Sequence, residues 1–191
     1  MTALKPEVHI CLLHHPVVNR SGEVVATAVT NLDIHDNARS ARTFGVASYH
    51  VITPLDAQIE LVSRIVAHWQ EGYGATRIPS RALAMNLLHI SRTLDDAIET
   101  IVAGRDVTPV IVSTCARDLG QEYTYRQLRK RMHANTDAPY IILFGTGYGL
   151  ASEILARSDV LLEPIGTPSD WNHLSVRSAV AITLDRLLAD Y

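Results

Sequence analysis

Tyr140-Ile141-Ile142-Leu143-Phe144 runs directly into Gly145-Thr146-Gly147-Tyr148-Gly149-Leu150. The apolar run reads as a buried strand, and the glycines as a loop at its carboxyl end. Glycine lacks a Cβ and accepts positive φ, so this loop lets a ligand approach bare backbone. Further on, Trp171-Asn172-His173-Leu174-Ser175-Val176-Arg177-Ser178-Ala179 opens an apolar helix, whose first N–H groups point outward. Two backbone-rich loops close in sequence predict one small-molecule pocket.

Working outward, residues 8–13 read as a first strand, ended by His14-His15-Pro16. A turn at Asn19-Arg20-Ser21-Gly22 leads to a β-rich stretch over 24–30. Residues 32–44 read as a helix capped by Thr30 or Asn31 and stopped by Gly45. A strand over 48–52 and an amphipathic helix over 55–69 follow. Glu71-Gly72-Tyr73-Gly74 reads as a break, with helices at 82–88 and 94–103 beyond it. Thr93 caps the second, which carries Asp95 and Asp96 in its first turn. Strands at 110–113, 140–144 and 160–162 alternate with helices at 125–133, 150–156 and 174–188. Continuous apolar strands alternating with helices predict an α/β fold, a mostly parallel sheet with helices on both faces.

The 191 residues suffice for a full core without disulfide or metal. Hydrophobic content of 47% and 19% charge are ordinary for a globular domain. No run reaches the roughly 18 apolar residues of a membrane span, and the start lacks a signal-peptide layout. Cys11 and Cys115 read as free thiols of a reducing cytoplasm, and no Cys/His spacing suggests a metal site. The net charge of −3 does not advertise a nucleic-acid binder. Its distribution is less neutral: Arg117, Arg126, Arg129, Lys130, Arg131 and His133 crowd one segment, readable as solvated surface or as a phosphate grip.

In open α/β sheets ligands bind at the carboxyl ends of strands. Three loops qualify: Thr114-Cys115-Ala116, Gly145 to Gly149, and Glu163-Pro164-Ile165-Gly166-Thr167. The first alternative is a dinucleotide-binding oxidoreductase. Gly145-x-Gly147-x-Gly149 is one residue short of the dinucleotide pattern, and only one strand follows it. His14 and His15 stand at a strand end, where histidines more often fill polar corners. No G-x-S-x-G supports a hydrolase.

Three segments in series resemble the SPOUT, or α/β-knot, RNA methyltransferases. The first is Asn31-Leu32, then Ala38-Arg39-Ser40-Ala41-Arg42, then Phe44-Gly45. The second is Leu143 to Leu150, similar to the family's glycine loop. The third is Asn172 to Ala179, similar to its last helix start. The resemblance implies one domain over 1–191, with a deep C-terminal trefoil knot and a cofactor-binding part at about 109–191. It implies S-adenosylmethionine held by Thr114, Phe144, Gly145, Thr146, Gly147, Gly149, Leu162, Glu163, Pro164, Ile165, His173, Leu174 and Ser175. It also implies a cytoplasmic homodimer whose active site is completed across subunits, acting on tRNA or rRNA without a metal.

By the same resemblance Arg39 is the catalytic group, placed at a ribose 2′-hydroxyl, and Asn31 orients it or the substrate. The sequence departs from ribose-methylating relatives, which usually carry glutamate where this chain has Gly147. Methylation of a base nitrogen therefore stays open, with Asp33, His35, Asp170 and His173 as candidate proton acceptors. A protein that binds S-adenosylmethionine and RNA without methyl transfer is the other alternative.

Overall fold

The computed structural model describes residues 5–120, 122–166 and 171–189. Six parallel strands form one sheet in the order β5-β4-β1-β7-β6-β8. They are β1 (Val8–Leu13), β4 (Ser48–Ile52), β5 (Leu88–Ser91), β6 (Val110–Thr114), β7 (Tyr140–Gly145) and β8 (Val160–Leu162). Between β1 and β4 lies a short antiparallel ribbon of β2 (Val17–Val18) and β3 (Val24–Val25). The β-rich stretch over 24–30 is thus strand only at its start.

Both faces of the sheet are covered. Ile10, Leu12, Tyr49, Val51, Val112, Tyr140, Ile142 and Phe144 build one core. It is covered by α1 (Asn31–Thr43), α4 (Pro79–Met85), α6 (Tyr125–Ala134) and α8 (Val176–Leu188), with α2 (Asp56–Gln70) and α3 (Tyr73–Arg77) beside them. On the other face Cys11, Leu13, Ile52, Ile141 and Leu143 meet α5 (Leu94–Val102) and α7 (Ser152–Leu155). Period-two alternation sends β1 and β7 into both cores, while β4 and β5 place Ser48, His50, His89 and Ser91 on one face.

The helix starts follow local chemistry. Thr30, not Asn31, caps α1: its side chain accepts from the Asp33 N–H. Thr93 and Thr124 close capping boxes with Asp96 and Gln127. Ser175 caps α8 by accepting from the Ser178 N–H. Two elements differ from the sequence reading. The helix expected over 82–88 ends at Met85, and Leu88–Ser91 forms edge strand β5. The break at 71–74 runs into the short helix α3.

A polar ladder crosses the N-terminal half of the sheet. Arg105 donates to Glu7 at 2.7 and 2.8 Å, and Glu7 meets His9 Nε2 at 2.9 Å. His9 Nδ1 and His50 Nε2 flank the Ser48 hydroxyl at 2.6 and 2.9 Å. His50 stacks on His89 with centroids 5.0 Å apart. Burial drives His50 down to about 3 and His14, at the end of β1, to about 4. The unfolded chain binds these protons near pH 6.5 and the folded chain does not. Stability is therefore fully present above pH 6.5 and is lost as pH falls toward 4, by about 1.4 kcal/mol per pH unit for each such histidine. Urea unfolding between pH 7 and 4 should show that slope, reduced by a His50→Gln substitution. A flat profile would contradict it.

Candidate active site

The cavity forms where the connections leaving β6 and β7 part. Helix α6 packs on one face and α7 on the other, which opens a crevice at the carboxyl ends of these strands. The cavity measures about 880 Å³, within the usual range for small-molecule sites. The loops after β6, β7 and β8 supply one side through Thr114 to Arg117, Phe144 to Gly149, Glu163 and Ile165. Asn172, His173, Leu174 and Val176 close a second, and Thr27, Ala28, Thr30 and Asp33 a third.

The glycine loop is fixed by hydrogen bonds to β1 and β2. The Tyr148 N–H donates to Val18 O and the Val18 N–H to Gly149 O, each at 2.9 Å. The Thr146 N–H and its hydroxyl both donate to Leu13 O, at 3.2 and 3.0 Å. This sets a proton order. With its hydroxyl committed, Thr146 Oγ1 accepts from Thr27 Oγ1 at 2.5 Å, and Thr27 then accepts from His14 Nδ1 at 3.1 Å. His14 is neutral at physiological pH because burial holds it near 4, so the chain requires its Nδ1–H tautomer.

Backbone contact also explains two glycines. A Cβ on Gly145 would lie 2.7 Å from the Leu150 backbone nitrogen. Gly147 has φ +60°, and a Cβ there would meet Val18 O at 3.0 Å. On the facing loop, Glu163 Oε1 accepts from the Tyr125 N–H at 2.8 Å, leaving lone pairs on the carboxylate for ligand hydroxyls. The Asn172 amide donates to Ala116 O at 2.7 Å, so the segment before α8 is held against the loop after β6. Such a wall suits a bent nucleoside: backbone edges, one carboxylate, and the apolar Ile165 and Leu174.

The residues expected to hold the cofactor divide into two groups. Thr114, Phe144, Gly145, Thr146, Gly147, Gly149, Glu163, Ile165, His173 and Leu174 line the cavity. Leu162, Pro164 and Ser175 do not. Leu162 is a core residue at 1% exposure, and the exposed Ser175 is engaged as the cap of α8. Asn31 and Arg39 also lie off this wall. Asn31 is exposed in the first turn of α1, and Arg39 is exposed with a guanidinium nitrogen 3.8 Å from Asp36. Of the candidate proton acceptors, Asp33 and His173 are on the wall. His35 packs edge-on against Trp69, at 5.4 Å between centroids. Asp170, like Thr167, lies outside the described residues.

Asp33 is buried, and its carboxylate is shared. Arg177 of α8 donates to Oδ1 at 3.0 Å and the Thr30 hydroxyl to Oδ2 at 2.6 Å. Arg177 also reaches Asp36 at 3.5 Å. Sequence reading alone had no signal for Thr27 and Ala28, which reach the cavity because the ribbon folds back over the glycine loop. Cys115 and Arg117 also belong to the wall.

A family model described as SAM-dependent RNA methyltransferase matches residues 7–189. The chain belongs to that family. A protein of Aquifex aeolicus (strain VF5) without assigned function is 38% identical over 186 residues, covering 97% of this chain and 90% of its own. A tRNA (guanine-N(1)-)-methyltransferase of Oleidesulfovibrio alaskensis is 39% identical over 186 residues, covering 96% of this chain. The chain spans only 42% of that relative's length. In fold it is similar to the SpoU methyltransferase AviRb of Streptomyces viridochromogenes, solved with AdoMet. That match has a TM-score of 0.57 at 14% identity and covers 96% of this chain and 57% of the other. S-adenosylmethionine is thus the cofactor, and the dinucleotide reading falls away.

The close backbone approach at Gly145 and Gly147 makes a specific demand. Gly145→Ala or Gly147→Ala should weaken S-adenosylhomocysteine binding at least about tenfold in calorimetry, since strain of roughly 1–3 kcal/mol falls on the loop. Unchanged affinity in both variants would show that the loop does not form the cofactor wall.

Proposed function

We propose that this protein methylates tRNA or rRNA, and that the acceptor is a ring nitrogen of a base. The observation that carries the reading is Asp33, a buried acidic residue that lines the same cavity as the glycine loop. When bound, S-adenosylmethionine supplies a methyl group on a sulfonium, an electrophile that needs no further activation. The protein's task is then to align the acceptor and to receive its proton. Asp33 would take the ring proton as the acceptor nitrogen gains the methyl group, with S-adenosylhomocysteine as the by-product. Arg177 and Thr30 hold the carboxylate in place, and each of its oxygens retains a free acceptor position.

The name of the tRNA (guanine-N(1)-) relative agrees with this chemistry, but it belongs to a protein more than twice as long as the matched part. A ribose 2′-oxygen acceptor is the second reading. It is favoured by Arg39, which the motif resemblance assigns to that chemistry. Arg39 would then enter the cavity of a neighbouring copy. The exposed apolar Leu32, Trp171 and Leu174, at 59%, 75% and 46% exposure, support such a homodimer. We further propose a single domain over 1–191, a C-terminal chain knotted through the loop after β6, and a cytoplasmic location. Among the described residues no helix is long and apolar enough to cross a membrane.

Mass spectrometry of nucleosides from cells with and without the gene identifies the acceptor. A missing base-methylated nucleoside is expected; a missing 2′-O-methyl nucleoside would replace the first reading with the second. In purified enzyme, Asp33→Asn should lower kcat about 10²- to 10⁴-fold, the usual worth of a positioned proton acceptor. Binding of S-adenosylhomocysteine should persist. Full activity in Asp33→Asn would remove Asp33 from the chemistry.

A further inference from the structure

We propose that the groove between α6 and α8 is the track for the RNA phosphate backbone, leading into the methyl-donor cavity. The proposal rests on the RNA-methyltransferase reading and adds where the substrate's backbone lies. Arg126, Arg129, Lys130 and His133 follow the spacing i, i+3, i+4, i+7, which sets them on one face of α6. Arg186 of α8 joins them, and with Tyr125 these residues line a single open depression. Tyr125 also lines the methyl-donor cavity, so the two spaces share a wall.

Most of the cations in this groove have no carboxylate beside them among the described residues. Helix α6 carries no carboxylate. Among the described residues, Arg39, Arg64, Arg92, Arg105, Arg157 and Arg177 each have a carboxylate partner. Among those same described residues, Arg126, Lys130, His133 and Arg186 have none within salt-bridge distance. A chain of net charge −3 that concentrates uncompensated cations on one stripe is not basic by composition; the stripe is a local device. Two members are also pre-set. Arg186 lies over the Tyr125 ring, 4.7 Å from its centroid, and Arg129 donates to Ala189 O at 2.5 Å at the end of α8.

From Arg126 to His133 the stripe rises about 10 Å at 1.5 Å per residue. Four of the groove's six lining residues are Arg or Lys: Arg126, Arg129, Lys130 and Arg186. A polyanion is the partner that fits a groove of this kind, and phosphates contacted here position a strand without reading its sequence. The shared wall at Tyr125 would let the contacted strand present its next nucleotide to the cavity.

The test compares the wild-type chain, Arg126→Glu/Lys130→Glu, and Arg64→Glu on α2 as a charge control. S-adenosylhomocysteine binding by calorimetry should be equal in all three. Total tRNA and rRNA fragments serve as probes, with binding measured across a salt series. In the double variant, RNA affinity at low salt should fall roughly 10- to 100-fold. The slope of log K against log salt should fall by about 1.4, two single-strand contacts at about 0.7 each. KM for RNA should rise while kcat stays unchanged. If the double glutamate variant fails to bind S-adenosylhomocysteine, Arg126→Gln/Lys130→Gln is measured in its place with the same slope change expected. Unaltered RNA affinity and slope, with wild-type transfer intact, would overturn the groove assignment alone. A wild-type protein that neither binds nor methylates RNA would overturn the function reading itself.

Discussion

Leu13 O accepts two hydrogen bonds from Thr146, one from its N–H and one from its hydroxyl, and the site depends on that junction. It ties the end of the first strand to the start of the glycine loop, across 133 positions of sequence. Thr27 and His14 extend the junction, so the ribbon segment is drawn over the loop and becomes cavity wall. Each hydroxyl in the chain has one donor and one acceptor role filled. A chain of this kind is worth more intact than its members taken singly, because a broken link leaves buried polar groups unpaired. The order of donors also sets the His14 tautomer, which links the electrostatics of β1 to the shape of the loop.

A second constraint joins the two helices that flank the cavity. The Asp33–Arg177 pair crosses from α1 to α8, and Asp36 and Arg39 continue the line along the outer side of α1. A carboxylate as enclosed as Asp33 is costly to bury alone and tolerable with a guanidinium and a hydroxyl on it. The ion pair that holds α8 against α1 therefore also keeps a charged acceptor on the cavity wall. Structure and proposed chemistry draw on the same side chain. On the far side of α8, Arg126 and Lys130 of α6 have no carboxylate within salt-bridge distance among the described residues, so α8 separates an ion-paired flank from a cationic one.

Much of this was legible in the residues themselves. Apolar runs such as Val8–Leu13 and Tyr140–Gly145 announce buried parallel strands. Threonine and serine caps at Thr93, Thr124 and Ser175 announce helix starts, because a short hydroxyl side chain satisfies the free N–H groups there. Strand β5 was not legible. Leu88 continues the helical period of the preceding residues, and His89 looks out of place in a sheet. What makes it a strand is Tyr49 to Ile52 lying alongside with unpaired backbone, and His50 offering a ring to stack on.

The candidate site divides in the same way. Glycine spacing and the polar start of the last helix depend on local backbone geometry, and local geometry is written in neighbouring residues. They were enough to bring Gly145, Gly147, His173 and Leu174 to one pocket. Thr27 and Ala28 joined it only through folding, and folding alone chose Asp33 over His35 for the wall, since these positions follow from which strands pair and which helix crosses which. The separation of Arg39 from the wall arose likewise: six residues beyond Asp33 on the same helix, it faces another direction. A helix turns every 3.6 residues, so proximity in sequence sets the register of a face, and packing against the sheet chooses which face meets the ligand.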